Sequence, residues 1–274
     1  MDCEYKIIKY PRTPHLEGSQ LQPGDEDLSQ VPFSEIAGRR LVIEEKIDGA
    51  NSAVSFDPAG RLYLQSRGHF LTGGYREKHY QLFKQWAAVK RDQLYAVLGS
   101  RYVLYGEWMY AKHTVFYDAL PHYFMAFDLL DRETGAFLDT ESRLKLTDPI
   151  GVSSVRVLRE GTFERLGQIL PLLGDSAYIT ASHLDALRLA ALRAGQDPER
   201  IARETDHSRT MEGLYIKVEE NGRVVRRVKF VRPSFTQTVE ASQSHWLERP
   251  IIPNRLCRPM DSLFRAAESS RNDQ

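Results

Sequence analysis

After some forty residues poor in periodicity, short runs of apolar and polar residues, separated by turn-forming positions, follow one another over 41–66. Leu41-Val42-Ile43 leads into the charged Glu44-Glu45-Lys46. Ser52-Ala53-Val54-Ser55-Phe56 alternates, and Asp57-Pro58-Ala59-Gly60 turns it into Arg61-Leu62-Tyr63-Leu64-Gln65. These runs predict strands over 41–46, 50–56 and 61–66. From about 75 to 98 the spacing becomes helical, with Tyr80, Phe83, Ala87, Leu94 and Val97 available for one face. Runs at 101–109 and 122–130 read as buried strands. Helical spacing returns at 161–172 and 181–203, predicting a helical insert over about 160–205, with Thr180 or Ser182 as a cap for its second stretch. Strands are predicted again at 213–218 and 223–231. Between them stands Glu219-Glu220-Asn221-Gly222, where Asn-Gly is a strong hairpin signal and the two glutamates are expected in solvent. Prolines break up both ends: Pro11, Pro14, Pro23 and Pro32 at the start, and Pro233, Pro250, Pro253 and Pro259 near the finish. The expected organisation is one domain over 1–234 and a short appendage over 235–274, with a helix around 235–246.

Composition narrows the setting. With 274 residues, 42% of them hydrophobic and 27% charged, the chain suits one large globular domain or two modest ones. No apolar run approaches the roughly 20 residues of a membrane helix, so no membrane partner is expected. Met1-Asp2-Cys3-Glu4-Tyr5-Lys6 has no apolar core of a secretory signal. Cys3 and Cys257 have no metal-binding or redox spacing, which favours a reducing, cytoplasmic setting. Basic and acidic residues balance at 37 each. A nucleic-acid partner must then be held by a local patch, for which clustering of Arg223, Arg226, Arg227 and Arg232 would be the sign.

The sharpest chemistry lies in Lys46-Ile47-Asp48-Gly49. A lysine at a strand end, just before a tight turn, is placed for partial desolvation, which lowers its pKa and makes it a nucleophile. Two roles are open to Asp48: stabilising the turn before Gly49, or taking part in catalysis. More polar residues follow at strand ends: Ser66-Arg67-Gly68, Tyr105-Gly106-Glu107-Trp108, Phe124 to Asp128, Glu212-Gly213 to Lys217, and Arg227-Val228-Lys229.

This order and spacing resemble the six motifs of the covalent nucleotidyltransferases, which include ATP-dependent DNA ligases, RNA ligases and mRNA-capping enzymes. The resemblance spans roughly residues 5–235 and is greatest to the RNA ligases, especially the phage-type branch that seals nicks in duplex RNA. Glu45-Lys46 with Gly49-Ala50-Asn51, and His113-Thr114-Val115-Phe116-Tyr117, carry that narrower likeness. It implies an α+β fold: a nucleotidyltransferase (ATP-grasp-like ligase) domain with antiparallel sheets around a nucleotide cleft. No OB-fold domain is expected, because the stretches before Lys46 and after Lys229 are too short for one.

The resemblance also implies roles. Lys46 attacks the α-phosphate of ATP. The AMP then passes to a 5′-phosphate RNA end, and a 3′-hydroxyl displaces it. Glu45 and Asn51 fall in the nucleotide site, although a turn or strand-end role is equally open to Asn51. Glu107 accepts from ribose hydroxyls, Arg67 reaches the same sugar or its phosphate, and Phe127 stacks on adenine, with Phe124 the alternative. Glu212 belongs with the metal ion, Mg2+ or Mn2+, and the phosphate chain. Lys217, Arg227 and Lys229 neutralise phosphate charge. Arg227 stands where the family usually has lysine. Asp128 closes the strand-end motif without a settled role. His113 and His122 match no metal-ligand spacing. Lys9, Arg12 and His15 either meet phosphates or lie in an ordinary surface loop. The implied setting is RNA repair, with an end-healing kinase or phosphatase as partner. Two other outcomes share these motifs: adenylylation of a protein or small-molecule acceptor, and a non-catalytic RNA-end binder, against which the intact lysine argues.

Overall fold

The computed structural model describes residues 5–21, 25, 30–235 and 250–264. Its strands, numbered in chain order, are β1 (His15–Leu16), β2 (Gln30–Val31), β3 (Arg40–Lys46), β4 (Ala50–Phe56), β5 (Leu62–Ser66), β6 (Tyr102–Trp108), β7 (Phe124–Asp131), β8 (Phe137–Leu138), β9 (Val157–Thr162), β10 (Gly213–Glu220) and β11 (Arg223–Val231). The α-helices are α1 (Gln81–Val89), α2 (Arg91–Leu98), α3 (Thr140–Thr147), α4 (His183–Arg193) and α5 (Pro198–Arg203).

The strands form two antiparallel blocks, β5-β4-β6-β7 and β11-β10-β3-β9. The two-residue β8 stitches the blocks together, pairing Phe137 with Leu130 of β7 and with Val224 of β11. β1 adds a parallel pairing to β11, and β2 to β1. Every named strand among the described residues belongs to this assembly, so they contain no separate barrel domain. Each block has its own apolar core. Phe83 stacks with Trp86 and Phe124 beneath α1, while Leu41, Ile43, Leu214, Ile216 and Val228 fill the second. Because β3 belongs to one block and β4 to the other, residues 47–49 carry the chain across the junction. No helix among the described residues is long and apolar enough to cross a membrane.

Several elements depart from the sequence reading. The stretch 75–98 divides into a 3-10 turn at Tyr75–Tyr80, then α1 and α2, separated at Lys90. The helix expected over 161–172 does not form. Residues 157–162 extend the open edge of β3 as β9, and two 3-10 turns follow at Leu166–Gln168 and Leu170–Leu172. Pro171 lacks the amide that a continuous helix would need there. The stretch 181–203 is two helices, broken at Gly195 (φ 67°) and restarted by Asp197, which caps Pro198–Arg203 through the Glu199 amide. Neither Thr180 nor Ser182 caps α4; Thr180 is bonded to Asp118 instead. The Asn221-Gly222 hairpin forms with both residues at positive φ. Glu219, expected in solvent, is buried and accepts from the Thr140 amide and hydroxyl at the start of α3, while Glu220 pairs with Arg39. Beyond residue 235, the helix expected at 235–246 lies outside the described residues. Residues 250–264 are laced into the body, with Pro253 bridging Ala111 and Leu256 bridging Leu120.

A buried ionic network ties the blocks together. The ammonium of Lys217, fully buried on β10, lies 2.9 Å from Glu44 Oε2 of β3 and 3.1 Å from Asp128 Oδ1 of β7, and donates to the Phe127 carbonyl. Asp128 Oδ2 accepts from Arg227 Nε of β11 at 2.7 Å and from the Tyr10 hydroxyl at 2.5 Å. Arg143 of α3 reaches Glu44 at 3.3 Å. Burial alone would raise the Asp128 pKa, but Arg227 and Lys217 outweigh it and bring it from 3.8 to about 2. Removing one partner leaves the others charged and dry, at a cost of about 3–5 kcal/mol. Asp128→Asn is therefore expected to lower unfolding stability at pH 7 by about that much. Because the folded-state pKa is depressed, the carboxylate's contribution is present above about pH 4 and fades as pH falls towards about 2. Urea unfolding of both proteins from pH 7 to pH 2 should show the gap narrowing only in that acid window.

Candidate active site

Where the blocks meet, a cavity of about 300 Å³ opens beside the end of β3. Lys46, the last residue of that strand, pairs in register with Gly213. A Cβ at Gly213 would lie 1.9 Å from the Phe230 carbonyl oxygen, so only glycine allows β10 this close to β11. Glu212 is thereby held against the nucleophile candidate, and Lys46 Nζ donates to its Oε1 at 2.6 Å. The lysine side chain is 19% exposed and the glutamate 1%.

The turn after Lys46 is clamped from two sides. A Cβ at Gly49 would fall 2.5 Å from Met109 Sδ and 3.2 Å from the Trp108 carbonyl oxygen, which explains the glycine. Asp48 accepts from the Thr114 and Val115 amides at 2.7 and 3.0 Å and faces His113 Nδ1 at 3.6 Å. Its own amide donates to the Tyr117 hydroxyl at 2.8 Å. Of the two roles open to Asp48, the geometry supplies the turn-holding one, and the same bonds give residues 113–117 their place.

The electrostatics reverse one expectation. Burial does push the Lys46 pKa down, but the carboxylates of Glu212, then Glu107 and Asp48, outweigh it and leave it raised. The resting lysine is a held ammonium, not a free amine. Burial raises the Glu212 pKa, so the lysine's nearest carboxylate is also a ready proton acceptor. Glu107 is pushed up to about 8, chiefly by burial, and its Oε2 has no hydrogen-bond partner among the described residues. Asn51 lies directly opposite it in the β4–β6 register.

Glu45, Lys46, Asn51, Arg67, Glu107, Phe127 and Lys229 all line the cavity. Glu45 is steadied by the Ser176 hydroxyl, and Arg67 is exposed at the rim. A register shift in the β6–β7 pairing leaves Phe127 unpaired between Ala126 and Asp128 and delivers it to the cavity, whereas Phe124 is packed on Phe83. Lys217, Arg227 and Asp128 do not line it; they form the network beneath. Arg227 is held by Asp128, with its guanidinium 3.9 Å from the Phe137 ring centre. Nor do the four β11-region arginines cluster. Arg226 pairs with Glu35, and Arg232 is buried against Asp206 and the Met211 carbonyl.

The N-terminal segment supplies walls that the motifs did not reveal. Tyr10 packs edge-on against Phe127 at 5.0 Å, and Thr13 and Tyr215 are hydrogen-bonded beside it. Asp25 projects into the cavity, accepting from Lys229 and from Arg12 at 3.1 Å, with His15 Nε2 also 3.1 Å away. Burial alone would raise its pKa, but Lys229, His15 and Arg12 bring it to about 2. A carboxylate thus rests among three basic side chains. Nothing in the local sequence distinguishes Asp25 from its acidic neighbours; Arg12 and His15 were legible as candidates for anions.

Comparisons with known proteins bear on the family and the fold. The sequence profile of the RNA ligase family matches residues 39–231, more than half of the chain, and the protein belongs to that family. Comparison with curated protein sequences gave no match. Among solved structures, the chain is similar to Naegleria gruberi RNA ligase in several forms. A mutant with ATP and Mn is 12% identical with a TM-score of 0.54, over 85% of this chain and 59% of that one. A mutant with AMP and Mn gives 14% and 0.53, over 86% and 59%. A mutant without ligand gives 16% and 0.52, over 86% and 58%. At such identity the likeness is one of fold, and the chain spans less than two thirds of those proteins.

Glu107 offers a direct check on the site. Its raised folded-state pKa means that wild type loses stability as pH climbs from about 4.5 to about 8, while the unfolded chain alone releases the proton. Glu107→Gln should unfold at the same temperature as wild type near pH 4 and at a higher one at pH 9. Equal midpoints at both ends would show that the carboxyl is solvated.

Proposed function

We propose that the protein is an ATP-dependent RNA ligase of the cytoplasm. In this reading it joins 3′-hydroxyl and 5′-phosphate ends in RNA repair through lysyl-AMP and RNA-adenylate intermediates. The observation that carries the reading is Lys46 Nζ against buried Glu212, at a cavity walled by Glu107, Phe127 and Lys229. The phage-type, nick-sealing branch is the favoured relative, on the motif forms at Lys46 and at 113–117.

The chemistry follows from that arrangement. Adenine lies against Phe127, and the ribose hydroxyls meet Glu107, which near neutral pH still carries a proton and can donate as well as accept. The Lys46 proton passes to Glu212, and the freed amine attacks the α-phosphorus. The bond to the bridging oxygen breaks, and pyrophosphate leaves. Lys229 sits where phosphate charge must be met, and Arg12 extends the positive lining, so the outgoing phosphates displace Asp25 from them. Among the described residues no three His, Cys, Asp or Glu side chains converge as a metal cage. Glu212 would be the protein carboxylate for a divalent ion carried by the ATP phosphates, which would supply charge neutralisation there. The cations of Lys217 and Arg227 act from below, fixing the floor on which Phe127 stands.

Incubation with α-labelled ATP and magnesium should place an acid-labile label on wild type and none on Lys46→Ala. A 5′-phosphorylated RNA nick should then be sealed. A labelled chain that seals no RNA would point to another acceptor, and an unlabelled, folded wild type would remove the nucleophile. Asp25→Asn should lower the ATP concentration needed for half-maximal labelling several-fold, and Arg12→Ala should raise it. Unchanged values in both would mean that the three basic groups lie off the phosphate path.

A further inference from the structure

Away from the Lys46 cavity, α4 and the segment 250–264 face each other across a groove of about 560 Å³. One wall is the small-residue face of Ala186, Ala190 and Ala194, and Ile251 and Met260 stand on the other side. Tyr110 lies half-buried in the groove, held edge-on by Tyr123 with ring centres 5.3 Å apart. Lys78, Arg193, Arg255 and Arg258 also line it, all exposed, and among the described residues no aspartate or glutamate does. Arg193, Arg255 and Arg258 have no carboxylate partner among the described residues. In a chain with 37 basic and 37 acidic residues, such a one-sided concentration is a local field, not a reflection of overall charge.

The groove is joined to the catalytic turn. Tyr110 follows Glu107 by three residues, just beyond the end of β6. Asn254, at the groove, donates to the Met109 carbonyl at 2.7 Å and accepts from the Tyr117 amide at 3.0 Å. Tyr117 in turn receives the Asp48 amide. An occupant here would rest on the outer side of the Lys46–Gly49 turn.

We infer that this groove holds an RNA strand leading to the joined end. Arg193, Arg255 and Arg258 take backbone phosphates, and Tyr110 packs against a base or ribose. A half-buried aromatic ring set among guanidiniums with no carboxylate partner among the described residues is the combination that single-stranded nucleic acid needs: charge for the backbone and an apolar face for a base. An acidic peptide would satisfy the arginines and leave the tyrosine unused. The inference rests on the RNA-joining reading and assigns its substrate a path on the surface.

The test uses the full chain with a fluorescein-labelled, 5′-phosphorylated single-stranded RNA, read by anisotropy over a salt series. The triple variant Arg193→Ala, Arg255→Ala, Arg258→Ala should bind at least ten-fold more weakly. Its slope of log affinity against log salt should fall by about 2, the value for three lost phosphate contacts on a single strand. Tyr110→Leu should weaken binding with no change in that slope. Lysyl labelling from ATP, measured in parallel, separates this from a structural role. Weak RNA binding with labelling retained supports the groove. Unchanged affinity and slope, or labelling lost together with RNA binding, overturns it. If wild type binds RNA through these arginines but takes no label, the groove stands and the ligase reading falls. Equal competition by poly-glutamate and by RNA would make the groove a site for acidic peptides.

Discussion

Everything in the cleft depends on a lysine that never touches it. Lys217 has no access to water, and its ammonium is shared by carboxylates from two strands that belong to different blocks. The blocks have separate apolar cores, and among the described residues the main-chain links between them are short: β8, and residues 153–156 between Ala126 and Glu45. Non-directional burial would let them slide against each other. A charge with fixed partners does not, because each displacement strands an ion in a dry interior. Asp128 is the hinge of this arrangement, since it also takes the Arg227 guanidinium and the Tyr10 hydroxyl. Tyr10 and Phe127 then inherit their positions from it. The usual family lysine replaced by Arg227 makes sense in this light: a planar fork serves both as a partner for Asp128 and as a surface over Phe137.

Above that floor the cleft is built from opposed tendencies. Burial would discharge Lys46, while Glu212 and Asp48 beside it keep it charged. Burial holds the proton on Glu107 and makes Glu212 more basic. In the proposed reaction the resting Lys46 is masked by Glu212, the same group that would later take its proton. A nucleotide and its cation entering such a site would change the local field and tip this balance, coupling the proposed chemistry to occupancy of the cleft. At the far end Asp25 performs a similar holding task, occupying the cations of Arg12 and Lys229 beside His15.

Most of this site was legible because it is carried by residues next to strand ends and tight turns, where short sequence patterns keep their meaning. Lys46 before Gly49, Glu107 after Gly106 and Glu212 before Gly213 all lie where the backbone must pass close to another strand. The places that misled are those where tertiary pairing overruled local spacing. Residues 161–172 carry helical periodicity, yet the open edge of β3 recruits 157–162 as a strand. Glu219 looks like hairpin decoration, but α3 starts beside it and buries it. The raised pKa of Lys46 depends on Glu212, 166 residues away, and no window of sequence reports that distance. Asp25 was invisible for the same reason, since its partners come from β11 and the N-terminal segment.

Asn254 has a consequence for how the protein comes into being. Its side chain braces both Met109 and Tyr117, and so, through Tyr117, the turn that carries Lys46. On the ribosome, residues 46–49 emerge some two hundred positions before that brace, and the blocks meet around a turn whose last support is still unmade. A chain released early would contain every motif of the cleft and lack the part that holds them still. The motifs around Lys46 therefore do not suffice to fix their own geometry: the turn is steadied by a segment that leaves the ribosome long after it.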